Sequence, residues 1–488
     1  MRVNSVGAAD SLAADTANLD GKLRAALQPG LYGSSTTYLG VVVANNPITS
    51  QFAQVQAVAE GTTTPLAFFT ATATYNANSV DLTVNRTPFG AVAGETLNQQ
   101  RVGNAFDAAY AANLTGNTAA FYANLLQATS TGALDRLSGE GTSGAQNTAF
   151  FASNAFTTLM ANQTMAWRGG ERAGMPESGA PLGYAAAPPD AFATVLKAPP
   201  ASAPSWHAWG GGFGGAQTLK GEDPLGSADF SGRLAGGALG LDYQANPDLL
   251  VGLAIGGSHS SFSVPDRMTS GAADALQIGA YAMRQWGSAY LMGLAGYGHF
   301  SNSTTRTITG VGPTETATGA FGSDLWGGRL ELGNTWAFAK VQVTPFAAVQ
   351  LSELRQAGYG ETSTTSGGAP GLLDLTYQPI NVMSLPTFLG VQLDSRFVLA
   401  NGMAWAPYAR TSWVHEFKPT RQINAFLNTV PGTAFTVDGA RAASDAAKLD
   451  LGAQLLLSRN VAFVTSFNGE FSGRGQTYAG TGALKVRW

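Results

Sequence analysis

The chain contains no cysteine, and its 488 residues include only 27 Lys and Arg and 31 Asp and Glu. The first absence excludes disulfide frameworks, cysteine-based zinc sites and thiol nucleophiles. The second sets this composition apart: 12% charged residues is about half the ~25% share of a soluble globular protein. A net charge of −4 offers no basic surface, so nucleic acid is not expected as a partner. Apolar runs long enough for a transmembrane helix, about 18 residues or more, are also missing. The opening stretch MRVNSVGAADSLAADTANLD lacks the apolar h-region of a secretory signal. An exported protein needs one, so the expectation is that the chain is the C-terminal piece of something longer.

Glycine is abundant, with 61 residues, and aromatics make up 10% of a chain whose apolar content is an ordinary 44%. Mean hydropathy is +0.02. Little charge, much Gly and aromatic, and no apolar excess point to amphipathic strands. From Trp206 onward, segments of ten or more residues alternate with period 2 between turn residues. In KLDLGAQLLLS, Leu449, Leu451, Ala453, Leu455 and Leu457 share one face, and Lys448, Asp450, Gln454 and Ser458 mostly share the other. A β-sandwich alternates in the same way, but its strands average about five or six residues, whereas a membrane strand needs about 9–11. The segments here have the longer value.

Twelve such segments are predicted: 206–216, 230–244, 248–262, 273–286, 288–305, 321–337, 341–356, 382–397, 403–418, 446–458, 461–472 and 476–488. Their number is even, as a closed bacterial barrel requires. Connections after the even-numbered segments are tight, around Asn246-Pro247, Trp286-Gly287, Ala339-Lys340, Asn401-Gly402 and Arg459-Asn460. Those after the odd-numbered ones are mostly longer, 357–381 and 419–445 most of all. Short turns belong on the periplasmic side and long loops outside. Trp206, Trp209, Trp286, Trp326, Trp336, Trp405, Trp413 and Trp488 fit interfacial girdles. Asp242, Arg329, Glu331, Arg410, Glu416, Lys448, Asp450, Lys485 and Arg487 are predicted to face the lumen, either holding a polar segment there or pairing among themselves.

Upstream, residues 1–90 contain short β segments (YLGVVVANNP, LAFFTATATY, NSVDLTVNRTPF) without strict alternation. They read as the last coils of a parallel β-helix, although so short a stretch shows no clean period. Residues 91–168 are helical in pattern. Between Gly144 and Arg168, Phe151, Ala155 and Leu159 stack beside Ala152, Phe156 and Met160, while Asn154, Thr157, Thr158, Asn162 and Thr164 form an uncharged polar face. Such a helix is too polar for lipid and suits a polar lumen. Residues 169–204 read as a Pro/Gly/Ala-rich linker, within which DAFATVLKA is a second candidate for the pore. The fold class expected is therefore mainly β: a 12-stranded antiparallel transmembrane barrel over 205–488, preceded by a helical linker and a short β-rich segment.

This order of parts resembles that of the type V autotransporters. The resemblance rests on SWHAWGGGFGG, GGALGLDYQANPDLLVGLAIGGS, APYARTSWVHEF and TGALKVRW for the β-domain, and on TLNQQRVGNAFDAA and ALDRLSGEGTSGAQNTAFF for the helical junction. It implies an outer-membrane translocator that exports and anchors an N-terminal passenger at the cell surface. The implied partners are outer-membrane lipid, the chain's own passenger segment in the pore, periplasmic chaperones and the barrel-assembly machinery, which would read the terminal Trp488. Almost no passenger and no signal are present, a departure from the family pattern. A porin-like outer-membrane channel is the alternative, and a surface hydrolase such as an esterase or protease is a more distant one. GGSHS at Gly256 to Ser260 lacks the final Gly of a nucleophile elbow. GGGFGG at Gly210 to Gly215 has no helix after it to hold a phosphate. His207, His259, His299 and His415 are scattered without metal-ligand spacing, though a loop carboxylate such as Asp266 could serve His259. No catalytic residue, cofactor or metal is expected.

Overall fold

The computed structural model describes residues 1–171, 205–338, 341–458 and 460–488. The C-terminal part is a closed antiparallel barrel of twelve strands. These are β1 (Ser205–Leu219), β2 (Phe230–Asn246), β3 (Leu249–Val264), β4 (Thr269–Trp286), β5 (Ala289–Ile308) and β6 (Glu315–Asn334). They continue with β7 (Val341–Gln356), β8 (Ile380–Ser384 and Pro386–Ser395), β9 (Ala404–Glu416), β10 (Asp445–Leu456), β11 (Val461–Ser472) and β12 (Gly475–Arg487). Sequence neighbours pair throughout, and β12 closes on β1 with Gly475 opposite Leu219 and Arg487 opposite His207.

Alternation decides which face each residue takes. Along β3, Leu250, Ala254, Ser258, Ser260 and Phe262 are buried, while Val251, Leu253 and Ile255 are exposed. The exposed set continues around the barrel with Leu239, Leu276, Leu330, Leu332, Leu389, Leu451, Phe463 and Leu484. A continuous apolar band of this kind is stable against lipid and costly in water. Trp206, Trp286, Trp336, Trp405 and Trp488 lie at the tight-turn end of the band, and Trp326 and Trp413 lie at the far end. Trp405 and Trp413, on one outward face of β9, are roughly 27 Å apart at ~3.4 Å per residue. Trp209 departs from the girdle expected of it. It is 3% exposed and points inward, because it stands three positions after outward-facing Trp206 and period 2 puts an odd offset on opposite faces.

The turns after even strands gather at the end where both barrel termini lie. Gly287, at φ +61°, makes the two-residue turn after β4. Ala339, Lys340 and Arg459 lie outside the described residues, as does 172–204, which holds DAFATVLKA and most of the expected linker. At the opposite end, the loops after β7 and β9 are more than loops. Tyr359–Gly360, Leu375–Tyr377, Gln422–Leu427 and Phe435–Asp438 form a four-stranded sheet over the barrel mouth.

On that mouth sits the N-terminal part. Arg2–Val3, Lys22–Leu27 and Gln54–Ala59 pair in parallel, and Leu12–Ala14 pairs in parallel with Ser35–Ala44. Phe69–Tyr75 and Ser79–Arg86 then end the stack as an antiparallel hairpin. Three helices follow: α1 (Leu97–Ala109), α2 (Gly116–Leu125) and α3 (Gly132–Leu137). Thr96 and Gln99 start α1 with a reciprocal capping box. One apolar cluster runs from Val3, Leu27 and Leu82 through Phe106, Phe121 and Leu134 to Ile308, Val311, Tyr377 and Phe435 on the barrel loops.

Candidate functional site: the helix-filled lumen

Helix α4 (Gly144–Ala166) has 23 residues, about 35 Å at 1.5 Å per residue, and lies inside the barrel. It enters at the long-loop mouth, where Gly144 packs on the Phe262 ring. At the turn end, Arg168 donates to Thr335 at 3.0 Å and Thr344 at 3.1 Å and pairs with Asp394 at 3.1 Å.

The helix is seated off-centre. Its apolar stripe (Phe151, Ala152, Ala155, Phe156, Leu159, Met160) is buried against Phe213, Leu234, Ala254, Tyr281 and Leu294 of the β1–β5 wall. Each large side chain buried this way contributes about 1.5–3 kcal/mol. Two wall glycines permit the approach. A Cβ at Gly279 would lie 2.5 Å from Met160 Sδ, and one at Gly256 would lie 3.0 Å from a Phe156 ring carbon.

The polar face looks across the lumen. Gln350 donates to Asn154 Oδ1 at 2.7 Å, and Tyr408 donates to Asn162 Oδ1 at 3.2 Å. The Asn162 amide donates to Ser466 at 2.8 Å and Thr481 at 2.9 Å. Nearer the mouth, Gln146 and Asn147 donate to the Gln422 and Ala440 carbonyls at 2.6 and 2.9 Å. Between this face and strands β6–β12 remains a cavity of about 180 Å³.

The charged side chains named from sequence mostly engage one another. Glu331 takes Arg329 at 2.9 Å, Arg410 at 2.6 Å and the Tyr290 hydroxyl at 2.9 Å. Arg410 also lies over the Phe346 ring. Asp450 accepts from the Asn468 amide at 2.6 Å and stands 3.9 Å from Lys448. Glu416 accepts from the backbone of Leu385 and Lys418 at 2.7 and 2.8 Å and from the Ser384 hydroxyl. Asp242 and Lys485 are buried 2.8 Å apart, with the Trp209 indole and the Tyr281 hydroxyl also donating to Asp242. Arg487 is half-buried at the barrel's turn end, and Trp488 is exposed, exchanging backbone hydrogen bonds with Trp206. The wall's polar contacts to the helix in the lumen come from uncharged Gln350, Tyr408, Ser466 and Thr481, none of which is among the charged residues that the sequence pointed to. The hydroxyl and amide residues on the polar side of β7, β9, β11 and β12 were the available signal.

At the mouth, Arg267 pairs with Glu140 at 2.6 Å and Asp135 at 3.4 Å, tying the end of the helical region to the β3–β4 loop. Burial pushes the Glu140 carboxyl up to about 7, against the pull of Arg267. His259 pairs with Asp274 rather than with the Asp266 suggested by sequence. Among the described residues no three His, Asp or Glu side chains converge as metal ligands do.

Residues 208–468 match the family model described as the autotransporter β-domain. The chain belongs to that family. Its barrel is an outer-membrane autotransporter translocator, a transport barrel filled by a helix from the same chain. Solved structures similar to it include the translocator domain of autotransporter NalP from Neisseria meningitidis, at 15% identity and a TM-score of 0.45, covering 58% of this chain and 88% of that one. The β-domain of the Bordetella autotransporter BrkA gives 18% identity and a TM-score of 0.42, with 58% and 100% covered. The transport unit of autotransporter AIDA-I from Escherichia coli gives 14% and 0.37, with 60% and 92% covered. No curated protein matches the chain.

Proposed function

We propose that this autotransporter exports the part before its barrel and then holds it at the cell surface, with α4 kept in the lumen as the anchor. The observation that carries this reading is the path of the chain. The N-terminal sheets and α1–α3 rest on the long-loop mouth, α4 descends the lumen, and Arg168 reaches the tight-turn end. Long loops lie outside in bacterial barrels, which supports an external position for residues 1–138. In the same reading, residues 1–90 are the end of a β-helical passenger, since their parallel pairs succeed one another like rungs. The lumen charges hold the wall's shape, and the polar helix face binds the uncharged half of the opposite wall. Trp488 serves as the signal for assembly machinery, periplasmic chaperones escort the chain, and the barrel acts in transport without catalysis.

The test uses the absence of cysteine. With the chain expressed behind a secretory signal, Val6→Cys, at a residue 86% exposed, should react with a membrane-impermeant maleimide on intact cells. Asn401→Cys, in the turn between β8 and β9, should react only after the outer membrane is permeabilised. The reverse pattern would place the N-terminal part in the periplasm and favour a porin-like role.

A further inference from the structure

Three of the chain's four histidines stand at one height on the outside of the barrel. His259 follows the start of β3 at Leu249 by ten residues, His299 follows Ala289 of β5 by ten, and His415 follows Ala404 of β9 by eleven. The fourth, His207, is buried inside. Each outer histidine turns Nδ1 to an aspartate on the next barrel strand: Asp274 at 2.8 Å, Asp324 at 2.9 Å and Asp445 at 2.9 Å. The pairs are open to their surroundings, with the His259 and Asp274 side chains 64% and 80% exposed.

Their level is set by the apolar band. On four of the strands the neighbouring outward residue on the band side is apolar or aromatic: Leu276 beside Asp274, Tyr297 beside His299, Trp326 beside Asp324 and Trp413 beside His415. The row of pairs therefore lies one outward position beyond the far girdle, at the long-loop side, with Glu353 at the girdle's own level opposite Trp326. Asp274 and His299 are diagonal neighbours across β4 and β5. Asp324 lies opposite Arg355, which itself pairs with Glu353 at 3.0 Å. Basic and acidic side chains (His259, Asp274, His299, Asp324, Arg355) thus alternate over five adjoining strands, and the pair His415–Asp445 repeats the device farther round.

We infer that this arc binds the phosphorylated saccharide head groups of the outer leaflet, fixing the barrel's depth and the lipid around β3–β10. A protonated imidazole can serve two anions at once, one ring N–H on the aspartate and the other on a lipid phosphate oxygen. The aspartate orients the ring for both contacts. Arg355 supplies a fixed cation in the same row. Alternating carboxylates suit a leaflet surface whose phosphates are bridged by divalent cations, since hard cations take oxygen ligands. An apolar band directly below makes a lipid, rather than a free ion, the source of the phosphate.

The test is native mass spectrometry of the full chain folded in detergent, with bis-phosphorylated lipid A and with the same lipid stripped of phosphate. Wild-type protein should retain the phosphorylated lipid at least about tenfold better than the stripped one. The triple variant His259→Gln, His299→Gln, His415→Gln should lose that preference, and the triple His→Arg variant should keep it. Heat-modifiable gel mobility checks that each is folded. Equal retention of the two lipids by wild type overturns the assignment whatever the variants do. A folded Gln variant with undiminished preference, or displacement of the lipid by millimolar inorganic phosphate, overturns it as well.

Discussion

Lys485 Nζ, on the last strand of the barrel, lies 2.8 Å from Asp242 Oδ2 on the second, so the ion pair reaches over β1 and crosses the seam where the two ends of the barrel sheet meet. Both side chains are almost fully buried. Removing one partner of such a pair leaves a buried charge and costs about 3–5 kcal/mol, whereas replacing both can be close to neutral. Lys485→Met alone should lower the temperature at which the folded gel band converts to the unfolded one. Adding Asp242→Asn, which still accepts from Trp209 and Tyr281, should recover most of the loss. A double variant as unstable as the single would show that the seam does not rest on this pair.

Gly279→Val places a side chain where Met160 now sits. The helix should be pushed from the β1–β5 wall and ion conductance in planar bilayers should rise. Met160→Ala in the same chain should bring conductance back toward the wild-type level. Unchanged conductance in the Gly279→Val barrel would mean that the helix tolerates a wider gap than the packing implies.

Glu361 accepts from Arg306 through two nitrogens at 2.7 and 2.8 Å, from the Leu375 backbone at 3.1 Å and from the Tyr377 hydroxyl at 3.0 Å. Glu361→Ala strands the Arg306 guanidinium and should cost about 3–5 kcal/mol locally. Protease should then cut within 357–379 while the barrel keeps its folded mobility. Resistance equal to wild type would place the strength of the mouth sheet elsewhere.

The Glu95 carboxyl, 9% exposed and near Asp107, is raised by burial from 4.5 to about 7. A carboxyl raised on folding stabilises the fold fully below its unfolded value. That contribution is lost as pH climbs through the folded value. Hydrogen exchange over α1 and its N-terminal approach should therefore quicken between pH 5 and 8 beyond the intrinsic chemical rate. Glu95→Gln should flatten this dependence, and an identical pH profile in the variant would exclude Glu95 as its source.

Much of this is legible in the sequence alone. Every barrel strand announces itself because lipid on one side and polar groups on the other force period 2 over ten or more residues. The stripe Phe151–Phe156–Met160, set against Asn154 and Asn162, likewise marked a helix made for a polar interior. Trp209 could have been placed by the same parity that places Trp206, and grouping it with the girdle ignored that rule. The mouth sheet is different in kind. Leu375–Tyr377 finds its partner near Leu427, some fifty residues on, and strands of three residues carry too little pattern to be seen alone. The Arg306–Glu361 pair depends on that pairing and was hidden with it. Asn162 with Ser466 and Thr481 is a contact that only barrel closure creates.

The hairpin of β5 and β6 rises far past the apolar band, and its tip residues Ile308, Val311 and Ala317 join the same apolar cluster as Leu134 and Phe121 of the helical region. The N-terminal part is thus bolted to a mast as well as to the shaft running down the bore. In the proposed topology a load mounted there would keep a set bearing to the membrane plane and would not swivel freely.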